Sequence, residues 1–221
     1  MISTLSLRAR INHYLSSRFA KPLAFVLGLL PFVWLVLAAA FDWLGANPAE
    51  ALERSTGNWT LRMLCLVLAI TPVRTMVGLP PLARYRRMAG LFVYFYATLH
   101  LVAYSWFDMG FDLPDIAKDI VKRPFILVGF VAVVLLTLLA LTSFNRAIKA
   151  LGGRRWQMLH RLVYVVAVLA VVHFFWMRAG KNDFAEVAVY ALILSSLLGW
   201  RVAQAFKKRG LKPPSVLRSQ L

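Results

Sequence analysis

A single cysteine, Cys65, stands in 221 residues, and it lies inside an apolar run. That excludes a disulfide framework, a cysteine-based zinc site and a CxxCH for covalent haem attachment. Acidic residues are also scarce, nine against 26 Lys and Arg. No Rossmann or other nucleotide-binding pattern occurs, and neither does an internal repeat or a low-complexity tract. No polar segment between the apolar runs is long enough for a separate domain.

What is present is apolar: 60% hydrophobic residues and a mean hydropathy of +0.67 place the chain in the membrane class. The net charge of +17 raises the question of nucleic acid. The basic residues are split among short segments between apolar runs instead of forming one polar domain, so topology explains the charge and nucleic acid is excluded as a partner. Arg8, Arg10, Arg18 and Lys21 precede an apolar run and resemble the start of a signal peptide. That run, Leu23 to Leu44, covers a bilayer at ~20 residues, whereas a signal-peptide core is roughly 7 to 15, so it reads as an uncleaved first span.

Apolar runs at 23–44, 61–77, 88–107, 124–144, 156–177 and 184–204 predict six spans in an all-α bundle, with the loops as mere connectors. The predicted layout is a basic segment 1–22, a membrane domain 23–206 and a basic tail 207–221. The second run contains Arg62, Arg74 and Pro72 and must rely on snorkelling or on its neighbours. Asn47-Pro48, Gly78, Pro80-Pro81, Pro114, Pro124 and Gly152-Gly153 fall at or beside expected helix ends. The N-terminus, the 78–87 and 145–155 loops and the tail, with adjoining helix ends, hold 19 of the 26 basic residues and no acid, leaving seven basic residues beside all nine acids. The positive-inside rule makes the basic face cytoplasmic and both termini internal, which requires an even number of spans.

Three of four histidines fall within these runs, where an ionisable side chain is costly enough to be a functional hypothesis. His13, in the basic N-terminal segment, is assigned no site. His100 (third span) and His173 (fifth) are expected at one depth, toward the outer ends of helices running in the same direction. Facing neutral imidazoles can bind haem iron axially in a bundle core, and any haem must be held non-covalently. Histidines that merely hydrogen-bond across helices are the competing reading; two at matched depth with a third nearby favour a metal.

His160 precedes His173 by 13 residues, about 20 Å of helix rise, which suits two stacked haems. At ~100° per residue the two rings diverge in azimuth, so either the haems are offset or the helix is distorted. A fourth histidine on the third span is missing, and Arg86 and Arg87 stand there. Arg86, 14 residues from His100, is the positional candidate for an unconventional inner ligand, while the neighbouring arginines suit haem propionates or lipid headgroups.

Trp106, Phe107, Phe174, Phe175 and Trp176 crowd the outer ends of spans three and five as an interfacial belt. Asp108, Asp112, Asp115 and Asp119 form an acidic outer loop whose plain reading is a solvated connector, with steering of a basic patch on a partner as the alternative. A proton pathway is disfavoured because no acid lies in mid-membrane, and a scaffold without a cofactor would make the histidines incidental.

NPAEAL, TGNWTLRML, ITPVR, RYRRMAGLFVYFYATLHL, RPFILVGF, LALTSFN and LGGRRWQMLHRLVYV, in that order, resemble the MsrQ (formerly YedZ) family. Its members are the haem-binding membrane subunits of the bacterial periplasmic methionine sulfoxide reductase system, within the ferric-reductase-like transmembrane group. The resemblance covers nearly the whole chain and implies a multi-pass inner-membrane b-type cytochrome with one or two haems b and no chemistry on the substrate itself. Its partner would be a periplasmic molybdopterin methionine sulfoxide reductase. Electrons would come from the quinone pool or a cytosolic flavin reductase, with FMN in some members. The family histidines match His100, His160 and His173. Electrons would enter near His160 and leave through the outer haem. The missing fourth histidine leaves the inner ligation open, and with no nucleotide-binding pattern in these residues the chain is expected to stand apart from ferric reductases and NADPH oxidases, which attach a dehydrogenase domain.

Overall fold

The computed structural model describes residues 2–180 and 182–210, with side chains from 7 to 207 except 181. Its helices are α1 Ile2–Ser16, α2 Ala20–Ala40, α3 Pro48–Val77, α4 Arg86–Phe107, α5 Leu113–Lys122, α6 Pro124–Leu141, α7 Asn145–Leu159, α8 Leu162–Ala179 and α9 Ala185–Gly210. A 3-10 turn, Pro80–Tyr85, leads into α4. Among the described residues there is no strand, and six helices (α2, α3, α4 with its 3-10 turn, α6, α8, α9) are long and apolar enough to cross a membrane. The chain is therefore an all-α, multi-pass membrane protein.

Three expectations are corrected. The second span starts at Pro48, well before its apolar run, because Asn47 caps it: its side chain accepts from Glu50 N at 3.2 Å, and Pro48 occupies the first turn. The expected fifth run, 156–177, is divided; α7 ends at Leu159 and α8 begins at Leu162. Gly152 marks a helix end as expected: α7 is two helical pieces joined there, at φ 72°, ψ 151°, a conformation that a glycine accommodates. The connectors are not all bare loops. Helix α5, capped by Asp112 accepting from Asp115 N at 3.0 Å, runs along α6 and is tied down where Tyr104 Oη donates to Asp119 Oδ2 at 2.6 Å. Leu113 and Val121 remain exposed on its apolar face, as on a helix lying in the membrane interface.

Helices α3 with α4 and α6 with α8 form the two closest pairs, α4 meets α6, and α9 closes against α3 and α8. Tyr96 is fully buried at the centre, stacks on Trp59 at 6.0 Å and donates from its hydroxyl to Gly28 O at 2.7 Å. Gly28 lets α2 approach: a Cβ there would lie 2.5 Å from Phe92 Cε2. Gly28→Leu is expected to lower stability by about 2 kcal/mol through overpacking, read as a lower unfolding temperature of detergent-purified protein.

The polar content of α3 finds partners on α9. Arg62 Nε donates to Tyr190 Oη at 3.3 Å, and its guanidinium lies 4.6 Å over the Trp59 ring. Pro72 has no N–H to offer Leu68 O, four residues earlier, and the Arg201 guanidinium of α9 donates to that carbonyl instead. Arg178, 7% exposed, binds Asp183 at 3.1 Å and Glu186 at 2.7 Å, fixing the end of α8 to the start of α9.

Candidate functional site

Two imidazoles meet between the helix pairs. The His100 and His173 ring centres are 6.2 Å apart, with their planes at 76°. His100 Nδ1 is 3.0 Å from Glu53 O, and His173 Nδ1 is 2.7 Å from Phe125 O. A carbonyl oxygen only accepts, so Nδ1 carries the proton in each ring and Nε2 is left with a free lone pair. Each acceptor belongs to the helix paired with that histidine: α3 serves α4, and α6 serves α8.

Both rings line one cavity of about 300 Å³. Its walls are largely apolar, including Leu64, Ala97, Val133 and Ala170, while Glu53, Arg54, Asp108, Arg123 and Arg178 line it near the acid-bearing end of the bundle. Arg54 lies 3.5 Å from Glu50, Arg123 pairs with Asp119, and Arg178 with Asp183 and Glu186. Ile120 of α5 also lines the cavity, so the α5 tether through Tyr104 forms part of its wall. Of the aromatic belt, Phe174 faces the cavity, and Trp106, Phe107, Phe175 and Trp176 stay exposed.

Chemically, two neutral imidazoles with free Nε2 atoms suit a transition metal. Among the described residues no group of three or more His, Cys, Asp and Glu could complete a bare-ion site. The donor set fits a metal that brings its equatorial ligands with it. Two metal–nitrogen bonds of roughly 2 Å each plus the ring radii come to about 6 Å between ring centres, matching the separation found. The apolar walls suit a flat macrocycle, and the arginines suit its carboxylates. These residues fit haem.

His160 is not brought to this pair. It sits in the turn between α7 and α8, with Nε2 3.2 Å from Thr142 Oγ1 and its ring stacked on Trp156 at 4.0 Å. Trp156 Nε1 donates to Thr142 O at 2.8 Å, so the cluster fastens α7 to the end of α6. Arg86 is the first residue of α4 and does not line the cavity that holds the imidazole pair. His160 stands two residues before α8, and the helix from Leu162 to His173 is unbroken.

Sequence reasoning missed the backbone acceptors at Glu53 and Phe125, the rim arginines Arg54 and Arg123, and two glycines, Gly57 and Gly129, that lie under the imidazoles. A glycine inside a helix otherwise costs about 1 kcal/mol, and that was the available signal.

Residues 56–171 match a family model described as "Ferric reductase like transmembrane component". A protein of Polaromonas naphthalenivorans (strain CJ2) is 68% identical over 83% of this chain and 84% of its own length. Proteins of Herminiimonas arsenicoxydans and Ralstonia nicotianae (strain ATCC BAA-1114 / GMI1000) are each 52% identical, over 86% and 85% of this chain and 87% and 86% of theirs. All three are named "Protein-methionine-sulfoxide reductase heme-binding subunit MsrQ". No solved structure matches. With two thirds of the aligned residues shared with one such protein, and a family model spanning half the chain and containing both His100 and His160, the chain belongs to the MsrQ family of ferric-reductase-like membrane proteins.

Proposed function

We propose that this chain is the haem-binding membrane subunit of a methionine sulfoxide reductase system, holding haem b between His100 and His173 and conducting electrons to a periplasmic partner. The observation that carries this reading is the pair of imidazoles in one cavity, each with Nδ1 tied to a backbone carbonyl and Nε2 free. The relatives' names support the cofactor and the system.

Bound haem supplies a one-electron couple. His100 and His173 would hold the iron through Nε2, and their Nδ1–H···O bonds hold the tautomer and raise ligand basicity. Arg54, Arg123 and Arg178 offer donors to propionates, and the apolar walls exclude water. Thr56 tunes one ligand: its hydroxyl donates to Leu52 O at 2.7 Å and to Glu53 O at 3.0 Å, sharing the latter carbonyl with His100. Thr56→Val should strengthen the Nδ1–H···O bond, make His100 more basic and favour the ferric state. A fall of about 20 mV in midpoint potential is expected, equivalent to half a kcal/mol, measured by redox titration.

In the finer reading, the basic face is cytoplasmic, with both termini there and the bilayer the bacterial inner membrane. The chain divides into 1–22, 23–206 and 207–221. Electrons enter at the His160 and Arg86 end from the quinone pool or a cytosolic flavin reductase, with FMN as an accessory carrier. A second haem on His160, with Arg86 as its other ligand, would replace the Thr142 contact at Nε2. The partner is a molybdopterin methionine sulfoxide reductase facing the exposed carboxylates of the outer loops.

The test is anaerobic stopped-flow mixing of the reduced, haem-loaded chain with the native partner and a methionine sulfoxide peptide. Reoxidation of the haem band that requires both partner and peptide is expected. Haem that stays reduced with an active partner would contradict the assignment.

A further inference from the structure

Building on the haem reading above, we infer that Gly57 and Gly129 are positioning residues whose bare faces seat the His100 and His173 imidazoles and hold the ring planes nearly perpendicular. The arrangement occurs twice. On α3, Glu53 O binds His100 Nδ1, and Gly57, about one helical turn further on, lies under the same ring. On α6, Phe125 O binds His173 Nδ1, and Gly129, again about one turn on, lies under that ring. The acceptor precedes its histidine by 47 residues in one half and 48 in the other.

The two seats differ in tightness. A Cβ on Gly129 would lie 2.8 Å from both Cε1 and Nδ1 of His173 and 3.3 Å from Cγ. The ring cannot simply retreat, because Nδ1 is bound at 2.7 Å to a carbonyl of the same helix as the glycine. Moving off the methyl stretches that bond, and swinging about it turns the ring plane. At Gly57 the corresponding distances are 3.3 Å to Cε1 and 3.4 Å to Nδ1, and the Nδ1 bond is longer, 3.0 Å, so a few tenths of an ångström of give suffice. Gly90 of α4 and Gly199 of α9 face open space and Gly28 of α2 abuts Phe92, so among the described glycines only Gly57 and Gly129 have a histidine ring against them.

Seats on two different helix pairs leave the rings at 76°. Near-perpendicular axial imidazoles leave two iron d orbitals almost degenerate, which gives a strongly anisotropic low-spin ferric signal. Rings turned toward parallel lift that degeneracy and give a rhombic signal. A lost ligand gives high-spin iron.

The test is frozen-solution electron paramagnetic resonance of the full-length ferric protein, comparing wild type with Gly57→Ala, Gly129→Ala and Gly90→Ala. The expected result is a strongly anisotropic low-spin signal in wild type and Gly90→Ala, a rhombic or high-spin one in Gly129→Ala, and a smaller change in Gly57→Ala. A Gly129→Ala signal identical to wild type, or an equal change in Gly90→Ala, would overturn the inference. Should Gly129→Ala not accumulate, Gly57→Ala decides by the same spectrum, an unchanged signal again overturning it. A haem-free wild type sinks the haem reading and this inference together; a haem-loaded wild type insensitive at both glycines sinks the inference alone.

Discussion

Replacing His173 with alanine is expected to lower the haem content of the purified protein at least about tenfold, and His100→Ala to do the same, because each ring supplies one half of a two-imidazole site. Losing only an outer-shell partner of a metal ligand costs about 10- to 100-fold in affinity, and the ligand itself costs no less. Leu64, Ala97, Val133 and Ala170 of the cavity wall have no side-chain donor to offer iron in its place. His160→Ala should behave differently. His160 lies outside this cavity, bound to Thr142 and covered by Trp156, so the absorption of the His100–His173 site should survive its loss. Pyridine haemochrome content per chain for the three variants is the measurement. Equal losses in all three would contradict the separation of His160 from the pair. Free imidazole added to a His173→Gly variant should recover part of the low-spin spectrum, since the space vacated is that of the ring.

The second large effect concerns the membrane frame that holds the site. Arg201→Leu is expected to destabilise the protein by about 2 to 3 kcal/mol, because it leaves Leu68 O without a donor inside an apolar bundle. The effect has a specific cause and therefore a specific remedy. Leu68 O lacks its helical partner only because residue 72 is proline. Pro72→Ala restores a backbone N–H, so the double variant should recover most of the lost stability, while Pro72→Ala alone should be close to neutral. The comparison is a double-mutant cycle on unfolding temperature in detergent. A double variant no more stable than Arg201→Leu would show that the arginine acts through something else, such as its stacking 5.5 Å over Tyr164.

Much of this architecture was legible because lipid imposes a crude code. Apolar length gives spans, and all six are present as membrane-length helices. The equal depth of His100 and His173 followed from two helices running the same way, and the rings do approach each other. What escaped has physical reasons. The outer turns of α3, from Pro48 to Thr60, carry Glu50, Glu53, Arg54 and Asn58 and show no apolar run, so only the Asn47 cap betrayed the helix. The turn at His160 interrupts an apolar stretch that reads as continuous. Helix α5 is too short to resemble a span, and its amphipathic pattern was read as an acidic loop. The acceptors at Glu53 and Phe125 are main-chain atoms, which side-chain identity does not encode. Gly57 and Gly129 are intelligible only once a ring is seen against them. The family resemblance pointed to the same histidines, while the fold supplied their tautomers, their spacing and the cavity between them.

The most direct test of the central claim is the reduced-minus-oxidised absorption spectrum of detergent-purified wild-type protein after haem-replete expression. A b-type spectrum with low-spin, six-coordinate features is the predicted result, as two imidazoles on one iron require. A folded but colourless protein would contradict the claim that His100 and His173 hold haem.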